Sequence, residues 1–162
     1  MPKKTTEKNA LCLEEIINDT LNGDALKNAL EFAEYLKANE MIYTGNHCEV
    51  HYKGNCACYI YFDELCKLHG PWTVWTEGDY VGEHDDVPMD DGMKEIAWAN
   101  VWRCLNCGNP CSPGKSSIIF GRRFDNVCNA VMAFRNPGRE TLECVKKLVE
   151  MRKNDILKTL SV

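Results

Sequence analysis

The chain has 162 residues, 44% hydrophobic and 27% charged, which is typical of one globular domain with a core of its own. No stretch approaches the ~18 apolar residues of a membrane span, and residues 1–17 lack the apolar region of a signal peptide, so we expect a cytoplasmic protein without a membrane partner. The net charge of −5 is the sum of −11 over residues 1–100 and +6 over residues 101–162. Because the chain is acidic and has no recognition helix, we expect no nucleic-acid partner.

Two helices are predicted at the start of the chain. A short helix over residues 8–18 follows a flexible tail at residues 1–9. Asp24 is the expected N-cap of the second helix, because its carboxylate can accept a hydrogen bond from a first-turn N–H. Apolar residues at three- and four-residue steps carry this helix to about Asn39.

A β-hairpin is predicted next, over residues 48–62, because two runs with β-branched and aromatic residues flank Lys53-Gly54-Asn55. The two-residue period of a strand places one set of side chains on one face, namely Cys56, Cys58, Ile60 and Phe62. The other face then carries Ala57, Tyr59 and Tyr61. A third strand is predicted at residues 72–76.

An acidic loop over residues 77–92 separates these strands from the next helix, which we expect at about residues 92–102. Trp98 and Trp102 lie four residues apart and would share one face of that helix. A further strand is predicted where the sequence reads SSIIFGRRF, residues 116–124.

A long helix closes the chain at residues 136–160, with an apolar stripe of Leu142, Val145, Leu148, Val149, Ile156 and Leu157. The order of the elements predicts an α+β fold, an antiparallel sheet packed against helices. We expect residues 1–162 to form a single domain, in which residues 103–129 are a Cys-rich subregion.

Ten cysteines are an unusual number for a chain expected in a reducing compartment, where structural disulfides are rare. Cys104, Cys107 and Cys111 fall within eight residues as C-x2-C-x3-C, and Cys128 follows. Four thiolates suit a closed structural Zn²⁺ site, in which no position is open to water. The stretch Cys104-Leu-Asn-Cys107-Gly108 resembles the knuckle of zinc-ribbon proteins, and this local resemblance implies a zinc site without implying an activity.

Other interpretations of the thiols stay open. An iron–sulfur cluster also takes four thiolates, although the order differs from the usual ferredoxin run. A redox pair would need its leading cysteine at a helix N-terminus, whereas Cys104 follows a predicted helix. Reduced cysteines that fill the core are the simplest alternative. The histidines and cysteines of residues 47–58 form a weaker candidate for a second metal site.

Aromatic residues are the second notable feature, and the candidates for the walls of a ligand pocket are Trp72, Trp75, Trp98, Trp102 and Tyr80. Acidic residues close to them in sequence would attract a cationic ligand. Ordinary core packing is the alternative explanation for these aromatic residues.

The sequence lacks G-x-x-x-x-G-K-[ST], G-x-G-x-x-G, G-x-S-x-G and H-E-x-x-H, so it offers no familiar catalytic or nucleotide-binding motif. It favours a non-catalytic, zinc-stabilised domain that binds a small ligand or a protein partner, for example in regulation. A thiol- or metal-dependent enzyme and a redox or metal sensor are the alternatives. Most of the chain resembles small bacterial cytosolic proteins with a helix–hairpin core, a Cys-rich turn and a C-terminal helix, here ETLECVKKLVEMRK. That resemblance implies no particular activity.

Overall fold

The computed structural model describes residues 12–45, 48–62, 70–78, 80, 86–108 and 113–162. Four helices occur in these ranges: α1 (Leu13–Thr20), α2 (Gly23–Ala38), α3 (Asp91–Ala99) and α4 (Arg139–Leu160). Seven strands accompany them: β1 (Ile42–Tyr43), β2 (Glu49–Tyr52), β3 (Asn55–Phe62), β4 (Trp72–Thr76), β5 (Val101–Arg103), β6 (Lys115–Ile119) and β7 (Arg122–Arg135). The predicted α+β class is confirmed.

All strand pairs in the described sheet are antiparallel, in the order β1-β2-β3-β4-β7-β5. The 14-residue strand β7 organises one half of this sheet. It pairs with β4 near its C-terminal end and with β6 near its N-terminal end, and β5 lies along its other edge. Residues 125–135, for which the sequence predicted no defined element, therefore lie at the centre of the architecture.

Two tight turns connect the hairpins, and each has both central residues in the left-handed region. Lys53 (φ 48°) and Gly54 (φ 79°) join β2 to β3, and Phe120 (φ 47°) and Gly121 (φ 84°) join β6 to β7. This turn geometry matches the right-handed twist of the strands it connects. The first hairpin was predicted correctly, but SSIIFGRRF is not one strand, because it contains the second turn.

The helices cover one face of the sheet. Helix α4 packs on β3 and β4 and also contacts α2 and α3. Neighbouring strands align buried residues on this face, as in the rows Val50–Cys58–Thr76 and Ile60–Val74–Phe134. The hydrophobic core therefore lies between the sheet and the helical layer. No helix among the described residues has both the length and the apolar character needed to cross a bilayer.

Two predictions about helix ends need correction. Helix α2 begins at Gly23 with Asn22 in the N-cap position, and Asp24 lies in the first turn without capping it. Asp24 still lies near the positive end of the helix dipole. The predicted end was correct, since α2 stops at Ala38 and Asn39 is the C-cap.

Helix α3 ends three residues earlier than predicted. Asn100 is its C-cap, and the carbonyl of Asn100 accepts a hydrogen bond from the N–H of Ala133 in β7. Pairing with β7 therefore replaces the last predicted helical turn, and Trp102 lies in β5. The prediction that Trp98 and Trp102 share a helical face is wrong for this reason.

Candidate functional site

Cys104 is fixed to strand β7 at the point where β5 ends. Its N–H donates to the carbonyl of Asn126 (2.7 Å), and the side-chain amide of Asn126 donates back to the carbonyl of Cys104 (3.2 Å). Asn126 has φ 57°, a left-handed conformation that asparagine tolerates better than most residues. The first cysteine of the motif is thus buried and held by hydrogen bonds on both sides of its backbone.

The turn after Cys104 folds back on the sulfur of that residue. The N–H of Asn106 points at Cys104 Sγ over 3.4 Å, and both Asn106 (φ 52°) and Gly108 (φ 84°) are left-handed. A backbone N–H directed at a sulfur stabilises the thiolate form, which is the form that binds a metal ion. Cys107, the second cysteine of the expected knuckle, is exposed, and the knuckle stays a prediction.

The Cys-rich segment returns to its starting point at Gly114. A Cβ built on Gly114 would lie 2.7 Å from Cys104 Cβ and 2.7 Å from the carbonyl oxygen of Val127. These are distances that real Cβ atoms do not adopt, so glycine is required there. Cys104 and Gly114, the two described ends of this Cys-rich segment, are therefore in contact.

Cys128 lies in a large bulge of β7. Val101 pairs with Met132, and Arg103 pairs with Val127. A step of two residues along β5 therefore corresponds to a step of five residues along β7. Three residues of β7 are thus extra, and bulges commonly redirect side chains close to functional sites. Cys128 follows directly after Val127 and is half-buried.

The bulge is held in place by the hydroxyl of Thr76. This hydroxyl donates to the carbonyl of Ala130 (2.7 Å) and accepts from the N–H of Met132 (3.3 Å). Val131, between these two residues, has φ 66°, an unusual conformation for a β-branched side chain. A strained residue that its surroundings hold in place is typical of positions with a functional role.

The metal prediction is tested only in part by these residues. Cys111 lies outside the described residues, and within the described part of the chain no three His, Cys, Asp or Glu side chains are grouped closely enough to hold a metal ion. Cys104, Cys107 and Cys128 alone are therefore not such a group. Cys104 follows strand β5 and not the predicted helix, so its thiol does not lie at the negative end of a helix dipole as expected. A redox pair would still need a helix that begins at Cys104, and none begins there in the described residues.

Three of the five predicted pocket aromatics contact parts of the protein other than the pair Trp75 and Trp102. Trp72 is in the core against Phe32, 1% exposed, and its indole N–H has no hydrogen-bond partner among the described residues. Tyr80 is buried against Phe120. Trp98 donates its indole N–H to the carbonyl of a residue in β6, with a guanidinium of β7 stacked on its ring. A ligand role for these three residues stays a prediction.

Trp75 and Trp102 do come together, on the sheet face opposite the helices. Their ring centroids are 5.3 Å apart in an edge-to-face arrangement, an attractive geometry for aromatic rings. They reach each other across β7, where Ala133 lies opposite Trp75 and contributes only a methyl group. Tyr61, 42% exposed, also lies edge-to-face with Trp75, with 6.5 Å between the two ring centroids. With Tyr59, which pairs with Trp75 in register, these rings form what we call the aromatic face: Tyr59, Tyr61, Trp75 and Trp102.

Two carboxylates border the aromatic face near Tyr59. The hydroxyl of Tyr59 donates to Glu77 (2.9 Å), and Glu49 lies opposite Tyr59 in the sheet with His51 Nε2 2.8 Å from its carboxylate. Burial, with the hydrogen bond to Glu77 second, raises the pKa of Tyr59, which therefore stays a neutral donor. At the other end, the guanidinium of Arg135 lies 5.4 Å from the Trp102 ring centre.

The alternation predicted for β3 is broken near its start. A bulge between β2 and β3 leaves Ala57 and Cys58 both buried, so Cys56 is half-buried and interacts with Tyr59 on the aromatic side. Desolvation raises the pKa of both Cys48 and Cys56, which makes them poor nucleophiles at neutral pH. The suggested second metal site also depends on His47, which lies outside the described residues.

Glu77 is one of the acidic residues near Trp75 that the sequence suggested could attract a cation, and Arg135 is one of the arginines that it suggested could contact phosphate. The sequence did not place either residue beside a particular ring, because the proximity of Arg135 and Trp102 depends on the pairing of β5 with β7. Searches against family models, curated proteins and solved structures found no match to this chain.

Proposed function

We propose that this protein is a non-catalytic binding domain of the cytoplasm, in which zinc holds the Cys-rich loop and the aromatic face receives a small ligand or a protein partner. One observation carries the proposal. Trp102, which meets Trp75 at 5.3 Å, lies two residues before Cys104, the first expected metal ligand. The aromatic face therefore includes a residue of β5, and the expected metal site begins directly after that three-residue strand.

The proposed ligands of zinc are Cys104, Cys107, Cys111 and Cys128. Support comes from the N–H directed at Cys104 Sγ, from the contact between the two ends of the loop, and from the bulge that contains Cys128. Four thiolates would complete the coordination shell, which makes the site structural and not catalytic. The raised pKa values of Cys48 and Cys56 also disfavour a thiolate nucleophile near the aromatic face.

Zinc would help to position Trp102 because its first proposed ligand, Cys104, lies two residues further along the chain. This strand has three residues, lies at the sheet edge and pairs only with β7 in the described structure. A metal bound directly after it would fix its end, and structural zinc contributes on the order of 10 kcal/mol to the folding of such segments. Removal of the metal should therefore release Trp102 from Trp75.

The metal is tested by elemental analysis of protein expressed with added zinc and purified without chelators. We expect about one zinc per chain, strongly reduced in Cys104→Ser and Cys107→Ser and unchanged in Cys12→Ser, whose thiol is exposed at the start of α1. Zinc-free wild-type protein that is fully folded would contradict the proposal. Iron found in place of zinc would contradict the choice of zinc as the metal.

The coupling of metal and aromatic face is tested by circular dichroism. Two indoles in edge-to-face contact give an exciton signal, which we expect to be lost on chelation. The chelation difference should be absent in Trp102→Phe and retained in Trp98→Phe, because the Trp98 ring contacts Arg122 and not Trp75. A difference that persists in Trp102→Phe would show that the metal acts elsewhere.

A further inference from the structure

The aromatic face combines apolar rings with a carboxylate that has no basic partner among the described residues. Glu77 is half-buried, and its carboxylate accepts a hydrogen bond from Tyr59. A carboxylate has about four lone-pair positions, so one donor leaves acceptor capacity unused. A half-buried negative charge beside aromatic rings favours a positively charged group from outside.

The bases that the described structure places near this face each have another partner, and the nearest to Glu77 is Arg152, whose Nε donates to the carbonyl of Cys56 (3.0 Å) and whose side chain passes Gly78. His51 contacts Glu49, and Arg135 lies over the ring of Trp102. The position of Arg135 also shows that one ring of the aromatic face already accepts a cation in cation–π geometry. The acidic end therefore lies at Tyr59 and Glu77, next to the ring of Trp75.

From this arrangement we infer that the ligand of the aromatic face is a small primary ammonium compound with an apolar body. The ammonium group donates to the Glu77 carboxylate beside Tyr59, and the apolar body lies against Trp75 and Tyr61. This inference rests on the proposed binding function and adds the chemical class of the ligand. A neutral molecule of the same shape would leave the Glu77 charge uncompensated, and an anion would be repelled by it.

Three matched probes test the inference: 2-phenylethylammonium, its neutral analogue 2-phenylethanol, and the anion phenylacetate. Each is titrated into the purified full chain, and the indole N–H signals in NMR spectra, assigned by Trp→Phe variants, report the site. We expect the ammonium probe to shift the signals of Trp75 and Trp102 more than that of the buried Trp72. Its affinity should exceed that of 2-phenylethanol about tenfold, as charge-assisted hydrogen bonds imply.

Two variants that each remove one negative charge distinguish a local contact of the ammonium group with Glu77 from a general effect of the protein's net charge. Glu77→Gln should weaken binding of the ammonium probe about tenfold, whereas Glu34→Gln, an exposed position on helix α2, should leave it within about twofold. Retained thermal unfolding temperatures confirm that both variants fold.

The possible outcomes distinguish the inference from the function on which it rests. Equal affinity for 2-phenylethanol and the ammonium probe would overturn the ammonium inference but leave a ligand-binding face in place. Preference for phenylacetate, or no shift of Trp75 and Trp102 with any probe, would also overturn the inference. The metal content of the same sample tests the zinc site independently of all three titrations.

Discussion

Gly114 fits between the Cβ of Cys104 and the backbone of β7, where even a methyl group would collide with three atoms at 2.6–2.7 Å. Two of these atoms belong to the backbone of Asn126 and Val127, so they cannot move aside as a flexible side chain would. The φ of Gly114 is not left-handed, so the requirement for glycine at this position is steric and not conformational. At the residue scale, this contact closes the Cys-rich loop.

Gly114→Ala should therefore destabilise the protein by about 1–3 kcal/mol, the usual cost of forcing extra volume into a packed site. Urea denaturation measures the change. Gly138→Ala is the matched control, because a Cβ there meets nothing within 4 Å and the expected cost stays below about 1 kcal/mol as an N-cap effect. Equal costs for the two variants would show that the loop does not close against Cys104 in solution.

At the scale of elements, helix α3 and strand β5 share a boundary that local sequence does not mark. Helical spacing continues through Trp102, yet the chain leaves the helix at Asn100, where the side-chain amide bonds back to the carbonyl of Ile96. Pairing with β7 satisfies the next backbone groups, so tertiary hydrogen bonds override helical propensity. Trp102 thereby moves from the helical layer to the opposite face of the sheet.

The N-terminus of α3 has a clear side-chain cap, since Asp90 Oδ1 accepts a hydrogen bond from the N–H of Met93 (2.8 Å). Asp90→Ala should cost about 1 kcal/mol of unfolding free energy, and Asp90→Asn, which keeps the acceptor, should cost only a few tenths. Chemical denaturation of both variants checks this difference. Equal losses would assign the effect to charge and not to capping.

At the scale of the whole molecule, the sheet separates two environments. The helical side buries thiols and phenols, among them Cys58, Cys144 and Tyr80, and burial raises the pKa of each of these groups. The pKa of Cys144 rises from 9.0 to about 12, and its thiol donates to the carbonyl of Met93. The opposite side carries the aromatic face and its carboxylates.

This burial predicts a loss of stability in alkali. Below pH 9 the buried thiols are protonated in both folded and unfolded chains, and above it only the unfolded chain releases their protons, so stability falls as pH rises toward 12. Each such group contributes up to about 1.4 kcal/mol per pH unit in that window. Urea unfolding at pH 8–10.5 should show a shallower decline for Cys144→Ala than for wild type.

Cys12→Ala, which removes an exposed thiol, is the control for this pH dependence and should keep the wild-type slope. Parallel slopes for all three proteins would mean that Cys144 titrates normally in the folded state. A change in stability that is the same at every pH would reflect only the cavity left by the alanine.

The sequence alone determined the elements that local patterns specify. The helical repeat of α2 and α4, the alternation and turn of the first hairpin, and strand β4 follow from residues within a few positions of one another, so the α+β class was predictable. The C-x2-C-G turn is local in the same way: the N–H of Asn106 points at Cys104 Sγ, whereas the metal site expected there stays a prediction.

The tertiary structure decided what depends on pairing between distant strands. The long β7 with its bulge at Cys128, the position of Trp102 beside Trp75, and the packing of Trp72 against Phe32 all arise from contacts between residues far apart in sequence. Register and bulges are set by the partner strand, and a single strand's pattern does not contain that information.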